Sequence, residues 1–407
     1  MLILDGLGDL PSPALRGQTP LEAARTPVLD GLAGSGLYGL VDPVKPGKIP
    51  NTHSGCGTLM GVLPTDLSRL NRGPIEASGA GRKLGIDEIA LRANFATLQQ
   101  RPDGLEIVDR RAGRISSGTD ELAAGLSRVD LGDGISAELL PTDQHRCVVV
   151  LSGPGLNPEI SDSDPGDRGM PAYFQPCVSR IDEAGFTAEK VNLFLEIART
   201  HLAGHPVNRA LEAAGRLPAN AILMRGAGWG FSLDNVLDMR GVSAAVVAGC
   251  NTVIGLARTL GSEVKTDSRF TADANTDLAA KMRTALATLE QYDLVYVHIK
   301  APDLFAHDHQ PDLKRAFLEK VDEALKKLEQ AGVIITVVAD HSTDSNSGAH
   351  TADPVPALLF DPSSKAAQND SPVNFSESAC SVGNMPRQSS HQLLLRLLDL
   401  MEVPAVR

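Results

Sequence analysis

Three apolar runs in this chain each lead to acidic residues. The pairs of run and acid are 2–4 with Asp5, 294–300 with Asp303, and 333–339 with Asp340 and His341. Each run has the length and composition of a buried parallel strand. Parallel strands bring their carboxyl ends to one edge of a sheet, and α/β proteins bind ligands there. The pattern therefore predicts a cluster of acids at one sheet edge.

Helical patterns alternate with these runs. They cover 26–33, 275–290 and 312–331, and a further core strand is predicted over 244–248. Alternation of strands and helices is typical of a parallel sheet with helices packed on its faces. We therefore predict an α/β fold with a doubly wound, mostly parallel sheet.

The middle of the chain has a different texture. With 407 residues, the chain exceeds the usual size of a single core. Residues 72–210 contain Arg-rich loops, a short strand over 146–151 and a helix over 189–201. We interpret this segment as an inserted, smaller α+β domain. The predicted core then comprises 1–71 and 211–407, with a strand at 220–224 marking the return to it.

Composition excludes several classes of function. The formal net charge is −12, and no dense Lys/Arg block occurs, which argues against nucleic-acid binding. No apolar run approaches the roughly 20 residues of a membrane span. The five cysteines include no Cys-x-x-Cys pair, and the N-terminus lacks the pattern of a signal peptide. We expect a cytoplasmic protein in a reducing compartment; no feature indicates an oligomeric state.

Imidazoles accompany the acids at the strand ends. Asp303 and His307 are four residues apart and would lie on one side of a helical turn or in a tight loop after the strand. His341 adjoins Asp340, and His350 follows a polar loop. Carboxylate with imidazole suits Zn²⁺ or Mn²⁺, and with Asp5 the six ligands suffice for two ions about 3.5 to 4 Å apart. A helix cap beside a surface histidine is the competing interpretation of the Asp303 pair.

A loop of small residues, 50–61, could supply a nucleophile. Glycines and small side chains before a helix leave backbone N–H groups that can hold phosphate oxygens. A hydroxyl is a weak nucleophile, and coordination to a metal is one way to activate it. Thr52, Ser54, Cys56 and Thr58 all remain possible from the residues alone, as does a plain helix cap.

Basic residues stand in predicted turns and at strand ends. They are Arg72, Arg92, Arg110, Arg111, Arg114, Arg146, Arg225 and Lys300. The planar guanidinium fork binds carboxylate or phosphate in bidentate fashion. Since 109–114 holds three of these arginines, we predict an anion pocket there; solvated surface charge is the alternative.

Separate segments spread over most of the chain resemble one known family. They are 5–9, 19–24, 26–30, 72–77, 92–97, 109–115, 217–228, 298–303 and 340–343. These strings are similar to those of the archaeal-type phosphoglycerate mutases that are independent of 2,3-bisphosphoglycerate, within the alkaline phosphatase superfamily. The resemblance implies an alkaline-phosphatase-like core and an inserted domain that closes over a small phosphorylated carboxylic acid.

The resemblance also implies roles for individual residues. Two divalent ions (Mn²⁺, Mg²⁺, Co²⁺ or Zn²⁺) would be bound, one by Asp303, His307 and His350, the other by Asp5, Thr52, Asp340 and His341. The phosphoryl group of 3-phosphoglycerate would pass to the enzyme and return to the 2-hydroxyl. The substrate would be held by Arg72, Arg92, Arg110, Arg111, Arg114, Arg146 and Lys300.

The chain departs from the family pattern at the nucleophile. Related sequences carry Ser-Asp-Thr-Ala-His where this chain has the string 52–56, Thr-His-Ser-Gly-Cys. The alignment places the nucleophilic serine on Thr52 and the histidine on Cys56, with Ser54 as the runner-up nucleophile. Threonine nucleophiles occur among phosphodiesterases and phosphonate hydrolases of the superfamily. A phosphomonoesterase, a phosphonate hydrolase, another phosphotransferase and an inactive anion-binding module are therefore the alternatives to a mutase.

Overall fold

The computed structural model describes residues 1–166, 172–231, 233–364 and 373–401. The chain divides into two compact units. The first unit comprises Met1–Ser68 with Leu233–Arg407, and the second comprises Arg69–Ser232. Each unit has its own sheet.

The strands of the described residues are numbered in chain order. They are β1 Leu2–Leu4, β2 Leu37–Asp42, β3 Glu88–Arg101, β4 Gly104–Asp109, β5 Val129–Asp130, β6 Ser136–Pro141, β7 Arg146–Ser152, β8 Ala172–Tyr173, β9 Ala221–Trp229, β10 Ala244–Val247, β11 Glu263–Lys265, β12 Leu294–Ile299, β13 Ile335–Val338, β14 Ser342–Asp344, β15 Ala349–Thr351, β16 Val355–Phe360 and β17 Gln388–Ser389.

The α-helices are numbered in the same way. They are α1 Pro20–Ala23, α2 Pro27–Gly34, α3 Thr52–Leu59, α4 Arg72–Gly79, α5 Thr119–Ala124, α6 Gly185–Ala203, α7 Pro206–Ala213, α8 Val236–Met239, α9 Asn251–Thr259, α10 Leu278–Leu289, α11 Ala301–His307, α12 Pro311–Gln330, α13 Glu377–Ser381 and α14 Ser390–Leu400. Short 3₁₀ turns lie at Pro13–Leu15, Leu67–Arg69, Ala112–Arg114 and Asp182–Ala184.

The first unit contains a mixed eight-stranded sheet in the order β11-β10-β12-β1-β13-β16-β2-β17. Strands β11, β10, β12, β1 and β13 run parallel to one another. Strand β16 runs antiparallel between β13 and β2. The prediction of an α/β fold with a mostly parallel sheet is confirmed, and α2, α10 and α12 lie within three residues of their predicted ends.

Strand β1 lies between the other two strands that lead to acids. Leu2 pairs with Val297 of β12 on one side and with Val337 of β13 on the other. All residues of the three strands are buried, as continuous apolar runs require. Because the three strands are parallel neighbours, the segments that follow them meet at one edge of the sheet.

The second unit is built on a seven-stranded sheet whose long central strand is β3. Strand β9 pairs antiparallel with β3, from Ala96 opposite Ala221 to Ile89 opposite Trp229. The strand predicted at 220–224 therefore belongs to the second unit, and the predicted return to the core at 211 is wrong. The apolar run that begins at Ala221 is short, and its composition is compatible with a strand of either sheet. Its pairing with β3 assigns it to the sheet of the second unit.

No helix among the described residues is both long enough and apolar enough to span a membrane.

The second unit has a continuous apolar core between its sheet and helix α6, which includes Phe95, Val149 and Phe194. All five cysteines of the chain lie within the described residues, are buried and form no disulfide.

Candidate functional site

The predicted acids and imidazoles come together at the edge of the first sheet. Asp5 follows β1, Asp303 lies in the first turn of α11, and Asp340 with His341 follows β13. The side chains of these four residues are at most 1% exposed. Charged side chains are rarely buried to this degree unless they are paired or bind a metal.

Asp5, Asp340 and His341 form one group of converging ligand atoms. The Nε2 atom of His341 lies 3.2 Å from Asp5 Oδ1 and 3.3 Å from Asp340 Oδ2. Among the described residues, this buried nitrogen has no hydrogen-bond partner. The group thus directs one nitrogen and two carboxylate oxygens at a common point, as a divalent cation requires.

A second group surrounds Asp303. The Nε2 atom of His307 lies 3.3 Å from Asp303 Oδ2, and the Nε2 atom of His350 lies 3.6 Å from Asp303 Oδ1. The ring of His341 stacks on that of His350 with centroids 3.7 Å apart, and ligand atoms of Asp303, His341 and His350 also converge. His341 therefore borders both groups.

Hydrogen bonds fix which nitrogen each imidazole offers. The Nδ1 atom of His307 lies 2.7 Å from the carbonyl oxygen of Gly348, and that of His350 lies 3.0 Å from the carbonyl oxygen of Pro50. A carbonyl oxygen only accepts, so each Nδ1 carries a proton and a neutral ring presents Nε2 as a lone pair. Metal-binding histidines are oriented by this kind of contact.

The two Nε2 atoms of His307 and His350 face each other at 3.3 Å. With both Nδ1 atoms protonated, two neutral rings would direct lone pairs at one another beside the carboxylate of Asp303. A cation or a shared proton must stand between them. The donor set, two imidazole nitrogens and a carboxylate, fits a divalent ion such as Zn²⁺ or Mn²⁺.

Charge in the buried cluster is unbalanced. Against the opposing effect of burial, the ammonium of Lys300 holds the pKa values of Asp5 and Asp303 below their usual range. Burial, and then the charge of Asp5, raise the pKa of Asp340. Burial lowers the pKa of His341. One lysine cannot neutralise three buried carboxylates, so bound cations would relieve the excess negative charge.

Lys300 links the acids to the predicted nucleophile. Its Nζ lies 2.9 Å from Asp5 Oδ1, 2.7 Å from Asp303 Oδ2, and donates to Thr52 Oγ1 at 3.1 Å. Thr52 is the first residue of α3 and is 6% exposed. The structure therefore places Lys300, predicted as a substrate-binding residue, among the predicted metal ligands and beside the predicted nucleophile.

The other candidate nucleophiles of 50–61 are occupied. Ser54 and Asn51 form a reciprocal capping box at the start of α3, and Ser54 Oγ also donates to the carbonyl of Asn51. Thr58 Oγ1 donates to the carbonyl of Ser54. Burial raises the pKa of the Cys56 thiol, which contacts Asp340 Oδ2 at 3.7 Å. The helix cap of α3 and the predicted nucleophile Thr52 are thus different residues.

His298 is a functional neighbour that the sequence reading missed. Its Nε2 lies 2.9 Å from Asp5 Oδ2, and its ring is 1% exposed. His298 and Lys300 stand two residues apart at the end of β12. Because alternate residues of a strand share a face, the spacing is the signal that could have identified it.

The second unit contains the predicted arginines. Arg92 on β3 is 5% exposed, and its Nε and Nη1 atoms have no hydrogen-bond partner among the described residues. Burial, and then the charges of Arg72 and Arg225, lower the pKa of Arg92. The carboxylate of Glu76 lies near Arg92, with a distance of 3.8 Å between Arg92 Nε and Glu76 Oε1. A buried cluster with surplus N–H donors is suited to an anion.

The remaining arginines divide into two settings. Burial, and then the charges of Arg146, Arg111, Arg92 and Arg114, lower the pKa of His145 to about 3. Arg110 instead forms a bidentate pair with Asp164, at 2.7 and 3.0 Å. His145 was not identified from the sequence. Arg110, predicted as a substrate-binding residue, directs its Nε and Nη2 atoms at the internal carboxylate of Asp164.

Comparison with known proteins places this arrangement in a family. Residues 1–394 match the model of the metalloenzyme superfamily. The 2,3-bisphosphoglycerate-independent phosphoglycerate mutase of Methanopyrus kandleri is 38% identical, with 99% of this chain and 96% of that protein covered. The Archaeoglobus fulgidus protein named 2,3-bisphosphoglycerate-independent phosphoglycerate mutase 1 is 37% identical, with 99% and 98% covered.

Solved structures agree with the sequence comparison. The cofactor-independent phosphoglycerate mutase of Thermoplasma acidophilum superimposes with a TM-score of 0.65 at 32% identity, covering 98% of both chains. A protein of Pyrococcus horikoshii gives a TM-score of 0.80 at 29% identity, with 99% of this chain and 97% of that chain covered. The chain thus belongs to the metalloenzyme superfamily and, within it, to the family of the 2,3-bisphosphoglycerate-independent phosphoglycerate mutases.

Proposed function

We propose that this chain interconverts 3-phosphoglycerate and 2-phosphoglycerate through a phosphoryl group carried transiently on Thr52. The observation that carries the proposal is the position of Thr52, the first residue of helix α3. Its Oγ1 accepts a hydrogen bond from Lys300, and Lys300 also contacts Asp5 and Asp303. Within 50–61, all of which the structure describes, no other hydroxyl combines these contacts. Family membership supplies the substrate class.

Two divalent ions complete the proposed site. Asp303, His307 and His350 would hold one, and Asp5, Asp340, His341 and Thr52 the other. Bound ions would supply positive charge for the negative charge that develops during phosphoryl transfer. The facing Nε2 atoms of His307 and His350 and the unpartnered Nε2 of His341 support this assignment.

The protein's own groups prepare Thr52 for attack. Lys300 donates a hydrogen bond to Thr52 Oγ1 and so stabilises negative charge on that oxygen. The first N–H groups of α3 point toward the same end of the helix, where the helix dipole favours anions. Thr52 Oγ1 would lose its proton and bond to the phosphorus of 3-phosphoglycerate while the bond from phosphorus to the 3-oxygen breaks, and the 3-oxygen would take up a proton to become a hydroxyl. The 2-hydroxyl oxygen of the bound glycerate would then lose its proton and bond to phosphorus while the bond to Thr52 Oγ1 breaks and Thr52 regains a proton.

The arginines of the second unit would bind the anionic groups of the substrate. Arg92 retains N–H groups without acceptors among the described residues, and Arg72 and Arg225 add to the positive charge around it. The charges of Arg111, Arg114 and Arg146 all lower the pKa of His145. A phosphorylated carboxylic acid carries two anionic groups of the kind that guanidinium forks bind.

A coupled assay tests the reaction. The purified chain is given 3-phosphoglycerate with Mn²⁺, Mg²⁺, Co²⁺ or Zn²⁺, and 2-phosphoglycerate is detected through enolase while free phosphate is measured in parallel. We expect 2-phosphoglycerate in at least one metal, without added 2,3-bisphosphoglycerate and without matching release of phosphate. Free phosphate without 2-phosphoglycerate would reject the mutase in favour of a phosphomonoesterase.

A further inference from the structure

Thr343 lies between the two groups of proposed metal ligands. It is the second residue of β14, and its side chain is fully buried. Its Oγ1 lies 2.7 Å from Asp303 Oδ1 and 3.0 Å from His341 Nδ1. One hydroxyl therefore contacts a ligand of each proposed ion.

The direction of these two hydrogen bonds follows from proton counting. A threonine hydroxyl has one hydrogen, and an ionised carboxylate can only accept. The Thr343 hydroxyl therefore donates to Asp303 Oδ1 and accepts the Nδ1–H of His341. That assignment leaves His341 Nε2 as a lone pair facing Asp5 and Asp340, at 3.2 and 3.3 Å. His341 thus acquires the tautomer that backbone carbonyl oxygens impose on the other two proposed imidazole ligands.

The surroundings hold Thr343 in this position. Its backbone N–H donates to the carbonyl of Gly8 at 2.9 Å, and its own carbonyl accepts from the buried Lys314 Nζ at 3.3 Å. A Cβ atom on Gly6 would come within 2.7 Å of Thr343 Oγ1 and 2.9 Å of Asp303 Cβ. Gly6 also has a φ of +65°, so glycine both permits this turn and leaves room for the hydroxyl.

We propose that Thr343 is a positioning residue that couples the two ion sites. Its single hydroxyl selects the tautomer of His341 for one ion and orients the carboxylate of Asp303 for the other. This inference rests on the proposed two-ion function. Removal of a hydrogen-bond partner of a metal ligand typically weakens metal binding about 10- to 100-fold. One substitution at Thr343 would weaken two sites together.

The test measures metal binding rather than turnover. Mn²⁺ is titrated into the metal-free protein, and the free ion is counted by electron paramagnetic resonance. We expect two bound ions in the wild type. Thr343→Val, which keeps the shape and removes the hydroxyl, should raise both dissociation constants at least about tenfold. Thr343→Ser, which restores the hydroxyl, should return both toward the wild-type values.

Thr336→Val is the matched control. Thr336 is also fully buried, on β13, the strand that precedes β14 in the chain, and its Oγ1 has no hydrogen-bond partner among the described residues. Its replacement removes a buried hydroxyl without touching either group of ligands, and both dissociation constants should remain unchanged. Wild-type affinity in Thr343→Val, or weakening of only one site, would overturn the proposal. So would an equal loss of affinity in Thr336→Val.

A measurement on the wild type covers the case in which Thr343→Val does not fold. Nitrogen-15 spectra of the Zn²⁺-loaded protein report the tautomer of each histidine. We expect a protonated Nδ1 on His341, His307 and His350, and a protonated Nε2 on His341 would overturn the proposal. Binding of fewer than two ions by the wild type would do the same. Two bound ions without mutase activity would reject the proposed reaction but leave the role of Thr343 standing.

Discussion

The ligand cluster of the first unit and the arginine cluster of the second are incomplete in opposite senses. Around Asp5, Asp303 and Asp340, buried carboxylates outnumber cations, and the Nε2 of His341 lacks a partner among the described residues. Around Arg92, buried N–H donors of the described chain lack acceptors, and positive charge exceeds negative. The first arrangement is suited to metal cations and the second to the anionic groups of a substrate. Surplus charge of either sign is costly when buried, which indicates a ligand in each case.

Replacing Thr52 should give the largest effect. Thr52→Ala removes the proposed nucleophile, and we expect kcat to fall by about 10⁴-fold or more. Ion binding should be largely retained, because the proposed carboxylate and imidazole ligands all remain in place. The measurements are the enolase-coupled assay and Mn²⁺ titration.

Ser54→Ala is the matched control for Thr52→Ala. Ser54 Oγ accepts the backbone N–H of Asn51 in the capping box of helix α3. The loss of that hydrogen bond should cost about 1 kcal/mol of stability while kcat changes little. Full activity in Thr52→Ala together with inactivity in Ser54→Ala would transfer the nucleophile to Ser54.

Replacing Lys314 tests a buried ion pair of the first unit in which the opposite charges balance. Its Nζ is fully buried and lies 2.7 Å from Asp9 Oδ2, which also accepts from Ser345 Oγ. Lys314→Met leaves Asp9 buried without its cation, and we expect the free energy of unfolding in urea to fall by about 3 to 5 kcal/mol. Adding Asp9→Asn should recover part of the loss. An unaltered unfolding midpoint in the single variant would show that the pair contributes nothing.

Arg92 should respond in the opposite way. Arg92→Met removes a buried charge whose Nε and Nη1 lack acceptors among the described residues, so the free energy of unfolding should rise or stay unchanged. The KM for 3-phosphoglycerate should increase roughly 10- to 100-fold, since a hydrogen bond to a charged group contributes about 1.5 to 3 kcal/mol. Stabilisation of the wild type by inorganic phosphate in a thermal melt should weaken in the variant.

Arg82→Met is the control within the same unit. Arg82 already pairs with Glu88 and Glu138. Its loss should lower stability and leave KM unchanged. If Arg92→Met, like Arg82→Met, lowered stability and left KM unchanged, the distinction between a paired arginine and an arginine with surplus charge would be wrong.

Glu377 gives the smallest predicted effect, a dependence of stability on pH. Burial raises the pKa of Glu377 to about 7, although its carboxylate accepts from Thr19 Oγ1 and from the N–H of Asp9. The folded-state pKa exceeds the unfolded value of about 4.3. The stabilising contribution is therefore complete below about pH 4 and is lost as pH rises through about 7.

The measurement is the urea midpoint between about pH 5 and about pH 8, which brackets the folded-state pKa. We expect Glu377→Gln to reduce the fall in stability over that range. Glu323→Gln, at an exposed residue paired with Lys326, should leave the fall as in the wild type. An identical pH profile in Glu377→Gln and the wild type would contradict the assignment.

Much of the first unit was predictable from the sequence. The apolar runs before Asp5, Asp303 and Asp340 are long enough to specify buried strands, and parallel neighbours necessarily bring their ends together. The spacing of Asp303 and His307 was compatible with a helical turn or a tight loop, and the structure shows the helix α11. The apolar runs and the spacing are local features of the sequence. The meeting of the acids follows from the rule that parallel strands end at the same edge of a sheet.

The features that escaped prediction depend on long-range packing. Strand β9 could have joined either sheet, and only its register with β3 assigns it to the second unit. Arg110 lies close in sequence to Arg111 and Arg114, yet its guanidinium group pairs with Asp164, which is distant in the sequence. Thr343 lies in the family-like string 340–343, but no role was assigned to it from the sequence. Its position two residues after His341 was the available signal, because such residues share a face.

The most direct test of the account is the location of the phosphoryl group. The Mn²⁺-loaded protein is mixed with 3-phosphoglycerate, quenched rapidly in acid, digested and mapped by mass spectrometry, with Thr52→Ala treated in parallel. We expect a phosphoryl group on Thr52 in the wild type and none on this segment in Thr52→Ala. A phosphoryl group on Ser54, or turnover to 2-phosphoglycerate with the segment unmodified at every quench time, would contradict it.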